Sequence, residues 1–358
     1  MFFLFSGVDH HTYTNKDKKP ILTASTSVKD GDIEIKMGGV MTAEGSIVGQ
    51  SKKFDHKPDG LSSNVSEAKI FFEGAYKDES GTKIGYVMRF NHEQAKVNET
   101  KIHNLVDRMY FKIENSNWGT VHVGQNKDVC FMIGKLAQKN MPTVWLRAPV
   151  YEGHMETYGI YKGSAFLNDN SISFKLNYLS PEINGWQFAA SYAPFDNVHG
   201  DQPRNAAQGT NFTTLLALYK GKVDDVKFAI TGSCLLKGDE YINKKHAGSS
   251  AAYLLSGSLG VSKWSAAFEF FGDVKHEEKA FNLSVKCEIN EKNQLGLGFH
   301  NVWGAKNRRV IGTLGHNYQI NENLAWSTQV DLALHQKGEG VDKKNEAFLI
   351  VTGLRAEF

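Results

Sequence analysis

A chain of 358 residues with 41 basic against 39 acidic side chains is close to neutral, so it lacks the electrostatic footprint of a nucleic-acid binder. Glycine is abundant at 34, proline scarce at 7, and aromatics reach 11%, a composition that suits many twisted strands better than helices. No stretch approaches the ~18 consecutive apolar residues of a spanning helix, which excludes a helical membrane protein; strands that show lipid every second residue leave no such mark.

In chain order, the opening MFFLFSGVDHHTYTNKDKKP has a short apolar start but no basic n-region, full apolar core or small-residue cleavage site. Residues 1–31 are read as a lead outside the folded unit, which takes residues 32–358. Within that lead, Asp9, His10 and His11 are adjacent and lack further partners, a poor chelating geometry. They read as a solvated tail.

Alternation of period two between turn residues then predicts strands at 33–49, 67–77, 83–91, 108–114, 119–125, 171–179, 186–193 and 212–220. The series continues at 226–235, 251–262, 264–271, 280–289, 294–301, 310–319, 324–335 and 347–358. Short turns such as NSNWG, SPEINGW and NENL alternate with long polar segments such as QSKKFDHKPDGLSSNVS, KGDEYINKKHAGSS and QKGEGVDKKNE. Residues 126–170 form the longest connection. Within it, FMIGKLAQKNM has helical character and is expected to pack inside the barrel. Tight turns on one side and long loops on the other describe an up-and-down barrel across a membrane with two unlike sides. The predicted fold is all-β, a 16-stranded antiparallel transmembrane barrel.

One face of many strands is uncharged. Phe174, Leu176 and Tyr178 share a face, as do Trp186, Phe188 and Tyr192; Phe212, Thr214, Leu216 and Leu218; Leu283 and Val285; and Trp326, Val330 and Leu332. The opposite faces carry groups such as Lys175, Asn177, Lys286 and Asp331. A charge facing lipid near the midplane costs ~2–4 kcal/mol, so the bare faces are expected to point outward. The last strand repeats the pattern, with Phe348, Ile350, Thr352, Leu354, Ala356 and Phe358 on one side. Tyr and Trp collect near strand ends, at Trp118, Tyr178, Trp186, Tyr219, Trp264 and Trp326, where amphipathic rings prefer the headgroup level.

Cys130, Cys234 and Cys287 are far apart and odd in number, and read as unpaired small hydrophobes. The sequence shows no nucleophile elbow, phosphate loop or metal-binding HExxH helix. No catalytic residue, cofactor or metal is expected.

RMYFKIENSNWGTVHVGQN (108–126), SISFKLNYLSPEINGWQFAASYAP (171–194) and the terminal GLRAEF, in this order, resemble the strand pairs and closing strand of Gram-negative general porins, those of alphaproteobacterial type above all. The resemblance implies a homotrimer of water-filled barrels in the bacterial outer membrane, each narrowed by an inward-folded third loop, here 126–170. One departure is Gln125 after Gly124, where the family commonly has arginine.

A pore of this kind selects at its narrowest section, where opposed rows of charge orient dipolar solutes. Wall candidates with lumen parity are Lys36, Lys69, Arg89, Arg108, Lys112 and Lys175; the loop offers Asp128, Glu152, Glu156 and Asp169. The expected function is passive diffusion of small hydrophilic solutes and ions, with a slight basic excess on the lumen faces favouring anions. The alternative is an outer-membrane barrel with a more specific role, as a solute-selective channel, adhesin or enzyme. A soluble β-rich binding protein would have no reason to keep uncharged outer faces on strand after strand.

Overall fold

The computed structural model describes residues 26–30, 33–50, 60–92, 106–143, 173–195, 208–242, 245–274, 279–304, 308–337 and 345–358. These hold β1 (Thr26–Asp30), β2 (Ile33–Gln50), β3 (Gly60–Lys77), β4 (Lys83–His92), β5 (Val106–Asn115) and β6 (Gly119–Asn126). A π-helical turn, Cys130–Gly134, and the short helix α1 (Leu136–Asn140) follow. The chain continues through β7 (Ser173–Leu179), β8 (Trp186–Phe195), β9 (Gln208–Val223), β10 (Val226–Ile242), β11 (Lys245–Val261) and β12 (Trp264–Asp273). It ends with β13 (Lys279–Glu288), β14 (Asn293–Trp303), β15 (Arg308–Asn321), β16 (Leu324–Lys337) and β17 (Asn345–Glu357).

From β2 onward each strand pairs antiparallel with its chain neighbour, and β17 returns to pair with β2, Ala347 with Gln50 through Glu357 with Val40. The ring closes at 16 strands. Gly39 and Phe358 then exchange backbone bonds of 2.6 and 3.0 Å. Past that point β1 takes over the same flank of β2, Thr26 with Met37 through Asp30 with Ile33, while β3 lines the other flank. The sheet therefore starts at Thr26, within the residues expected to form a lead outside the barrel. Hydrocarbon offers no partner to a bare N–H or C=O, so a sheet that spans it must leave no edge.

Side-chain parity follows the alternation. Phe111 is 66% exposed, Leu332 63% and Leu297 60%, whereas Asn177, Ser284 and Gln329 are 0% exposed. The buried charged side chains on the strands, among them Glu44, Glu73, Arg89, Arg108, Lys175, Glu269, Asp273, Lys286, Asp331 and Arg355, all lie on the inner parity. The expected ring girdle forms at the short turns: Tyr178 donates to the Trp118 carbonyl at 2.9 Å, and Trp186 meets Tyr219 at 4.9 Å between ring centroids.

Local chemistry sets the turns. Asn184 (φ 51°) and Gly185 (φ 84°) reverse the chain between β7 and β8, the Asn-Gly pair that a two-residue hairpin demands. Between β3 and β4, the exposed Asp78 carboxylate accepts from the Ser80 hydroxyl at 2.7 Å and the Thr82 N–H at 2.8 Å. These bonds hold it below the usual carboxylate range.

Two further expectations are corrected. Phe212, Thr214, Leu216 and Leu218 of β9 face inward, and Leu215 faces lipid at 52% exposure. Both faces of β9 are apolar at this level, so a register of either parity looks lipophilic and the pattern alone decides nothing. The segment KGDEYINKKHAGSS is also mostly strand: β10 and β11 stay paired up to Ile242 with Lys245, through irregularities near Lys237 and Glu240. Its polar residues resemble a loop because outside the oil a strand needs no apolar face.

The inverted face of β9 receives the third loop. Val129 and Met132 are buried in a cluster with Leu179, Ala189, Leu216 and Leu218. Asp128 opens the π-helical turn by accepting from the Phe131 N–H at 2.9 Å. From there the chain runs along the inner wall as a belt, held by inward hydroxyls. Val129 N–H donates to Ser191 Oγ of β8 at 2.8 Å, and Leu136 N–H donates to Ser256 Oγ of β11 at 3.1 Å. Asn140 of α1 accepts from Ser265 Oγ of β12 at 2.6 Å and donates to Ser284 Oγ of β13 at 3.2 Å. Thr143 donates to Gln329 Oε1 of β16 at 2.6 Å. At Gly296 of β14, a Cβ would stand 2.3 Å from Pro142 Cδ, so only glycine admits the belt there.

Leu297→Arg, placing a charge at the lipid side of β14, is expected to lower stability by about 2–4 kcal/mol, read from urea unfolding of protein refolded into vesicles. An unchanged midpoint would mean that this face does not meet lipid. Asn140→Ala removes the acceptor of the Ser265 hydroxyl and a donor to Ser284 Oγ and is expected to cost about 1–3 kcal/mol. Faster amide hydrogen exchange at residues 136–141 should accompany the loss; protection equal to the parent's would show that the belt is held by other contacts.

Candidate pore constriction

The six basic wall candidates all lie on the inner parity, but at two levels. Near the short turns, cations and anions are matched. Glu34 lies 3.1 Å from Lys36 and 3.0 Å from Lys83, Lys112 lies 2.6 Å from Glu114, and Glu73 sits within the fields of Lys112, Lys36 and Lys83. Lys36 and Lys112 therefore belong to a compensated set.

Toward the loop several cations stand close together. Arg89 of β4 and Arg108 of β5 are direct cross-strand partners, and both are buried. Lys127, the first residue after β6, lies within the fields of Arg108, Arg89, Lys69 and Lys135. Its ammonium stands 3.4 Å from the centroid of the Phe131 ring, and Lys135 stands 5.3 Å from the same centroid. Lys175 of β7 donates to Ser173 Oγ at 2.5 Å and lines a small pocket with Asp128, Ser191, Phe212 and Thr214.

Lys69, Arg89 and Arg108 are thus brought together, with Lys175 nearby on the same side of the barrel, and Lys36 and Lys112 are set apart. Of the loop acids, Asp128 caps the turn beside Lys175; Glu152, Glu156 and Asp169 lie outside the described residues. Buried acids also stand elsewhere on the inner wall. Glu269 and Asp273 stand on β12, halfway round the ring from β4, and Glu269 accepts from Asn282 at 3.0 Å. Asp331 of β16 accepts from Thr313 and Gln329, the latter at 2.8 Å. Lys127 and Lys135 escaped the sequence reading. Their signal is a Lys-x3-Phe-x3-Lys spacing, which on a helical turn puts all three residues on one side.

Gln125 lies across from Phe174 and Met109, both on the lipid side, so this position does not line the lumen. Among the described residues no group of three or more His, Cys, Asp or Glu side chains is placed to hold a metal ion.

The sequence matches the model of a Gram-negative porin family over residues 21–334. No curated protein matches it in sequence. OmpF of Salmonella typhi superposes with a TM-score of 0.66 at 10% identity, covering 93% of this chain and 100% of its own. The anion-selective porin from Comamonas acidovorans gives 0.62 at 13% identity over 91% and 100%. OmpT of Vibrio cholerae gives 0.61 at 11% identity over 93% and 100%, and a trimer form of that protein is known. At these identities the likeness concerns the fold. The sequence match spans most of the chain, and together with the closed ring and its lodged loop it makes this protein a member of the Gram-negative porin family, seated in the bacterial outer membrane.

Proposed function

We propose that the protein is a passive, non-enzymatic channel for small hydrophilic solutes that prefers anions, with Lys69, Arg89, Arg108 and Lys175 as the basic side of its constriction. The supporting observation is the gathering of inward cations on one side of the barrel, Arg89 opposite Arg108 with Lys127 in their fields. Low-dielectric walls focus the field of such a cluster, which raises the local concentration of counter-ions and lowers that of co-ions. The far-wall acids Glu269 and Asp273 add a gradient across the lumen that turns dipolar solutes as they pass. Resemblance of the cluster's sign to the name of the Comamonas relative agrees with this reading.

The barrel works as a homotrimer in this proposal. Support comes from the lipid-side face of β16 and β17, where Trp326 Nε1 donates to Thr352 Oγ1 at 2.7 Å and Thr328 Oγ1 lies 3.1 Å from the same oxygen. Hydroxyls in hydrocarbon are better placed against another protein surface than against acyl chains.

Reversal potentials across a KCl gradient in a planar bilayer test the reading: chloride should carry more current than potassium. The Arg89→Gln, Arg108→Gln double variant should reduce the chloride preference severalfold. A parent channel that favours potassium overturns the assignment.

A further inference from the structure

We propose that the mouth of the channel at the short-turn end is a loose binding surface for zwitterionic solutes, α-amino acids above all, built from inward pairs of opposite charge on β2, β5, β13 and β17. The inference rests on the channel reading above and adds a solute class to it.

Side chains two residues apart on a strand share a face, and four strands use that spacing for an ion pair. Glu34 stands 3.1 Å from Lys36 on β2, Lys112 2.6 Å from Glu114 on β5, Lys286 3.6 Å from Glu288 on β13 and Arg355 2.8 Å from Glu357 on β17. Each of these pairs has its acid nearer the short-turn end. Exposure runs the same way on β13 and β17, where the Lys286 and Arg355 side chains are 9% and 8% exposed and those of Glu288 and Glu357 35% and 31%. On these strands a solute meets the carboxylate first and the cation behind it. Between β2 and β5 the signs also alternate sideways. Glu73 is the register partner of Lys36, and Lys83 is that of Glu114 while standing 3.0 Å from Glu34.

Two opposite charges side by side cancel at a distance and act only at close range. Such a pair gives little net pull to a lone anion or cation. A zwitterion differs, because its ammonium and carboxylate are about as far apart as the two heads of each pair and can lie against both at once. Contact at that range survives the salt screening that removes longer attractions, and the low-dielectric wall strengthens it.

The pairs are set before a solute arrives. Glu288 N–H donates to the Lys263 carbonyl and Glu357 N–H to the Asn323 carbonyl, both at 2.8 Å, which ties these rim acids to the turns beside them. Ordering cost on binding is low when the groups are already fixed. The contact is weak enough to let the solute go, as passage requires.

The test uses the full-length protein in lipid vesicles that swell as solute enters, with glycine and its uncharged isomer glycolamide as probes and protein-free vesicles as the baseline. Glycine should enter faster. The quadruple variant Lys286→Gln, Glu288→Gln, Arg355→Gln, Glu357→Gln removes two pairs whole and leaves the net charge of the protein as it was. It should lower the glycine-to-glycolamide rate ratio about two- to fivefold, the scale of a partly exposed ion-pair contact. Lys286→Arg with Arg355→Lys should keep the ratio. A heat-sensitive compact band on a denaturing gel checks that each variant is folded, and its reversal potential in KCl separates loss of the pairs from a change in the net field. Three results overturn this inference and leave the channel reading standing: equal entry of the two isomers through the parent, a ratio that survives the glutamine variant, or a fall matched by an equal loss of chloride preference. Vesicles that admit neither solute above the baseline overturn the channel reading itself.

Discussion

Closure governs this protein. In hydrocarbon an unpaired backbone amide has no water to turn to, and each one left bare costs several kcal/mol. The pairing of β17 with β2 removes the last edge, and the relay from Phe358 to Gly39 and then to β1 carries the seal to the foot of β2. Once the ring is shut, successive residues on every strand face opposite media, and the chemistry of each side chain is set by its parity.

A ring of this size leaves an interior too wide for wall side chains to fill, so something must shape it. Here the third loop does, and it does so by lining the wall. Its apolar residues Val129 and Met132 need an apolar seat, which β8 and β9 supply. Its polar backbone needs partners, which Ser191, Ser256 and Ser284 supply. The same stretch of wall is therefore less polar than the rest of the lumen, and its small inward residues give the belt room. Lodging the loop also brings Lys127 into the fields of Lys69, Arg89 and Arg108 on the strands β3 to β5.

The sequence carries much of this plainly. Strand positions from β2 to β17 were readable because lipid imposes alternation strand after strand, and the inward parity of Lys36, Lys69, Arg89, Arg108, Lys112 and Lys175 followed from it. Where the outer medium is water the pattern fades, as at the paired extensions of β10 and β11. Where both sides of a strand are apolar it becomes ambiguous, as at Leu215 and Leu216 of β9.

Periodicity, turn residues and the lack of any long apolar run determined that this chain is a membrane barrel with one charged interior, because those features reflect interactions between each residue and its solvent. Which of the inward charges stand together was decided only by the folded ring. Lys127 lies within the field of Arg89 because the barrel brings β6 beside β5 and β4 and turns the loop back into the lumen. The meeting of distant charges depends on closure and on the path of a loop, and neither is written in the spacing of neighbouring residues.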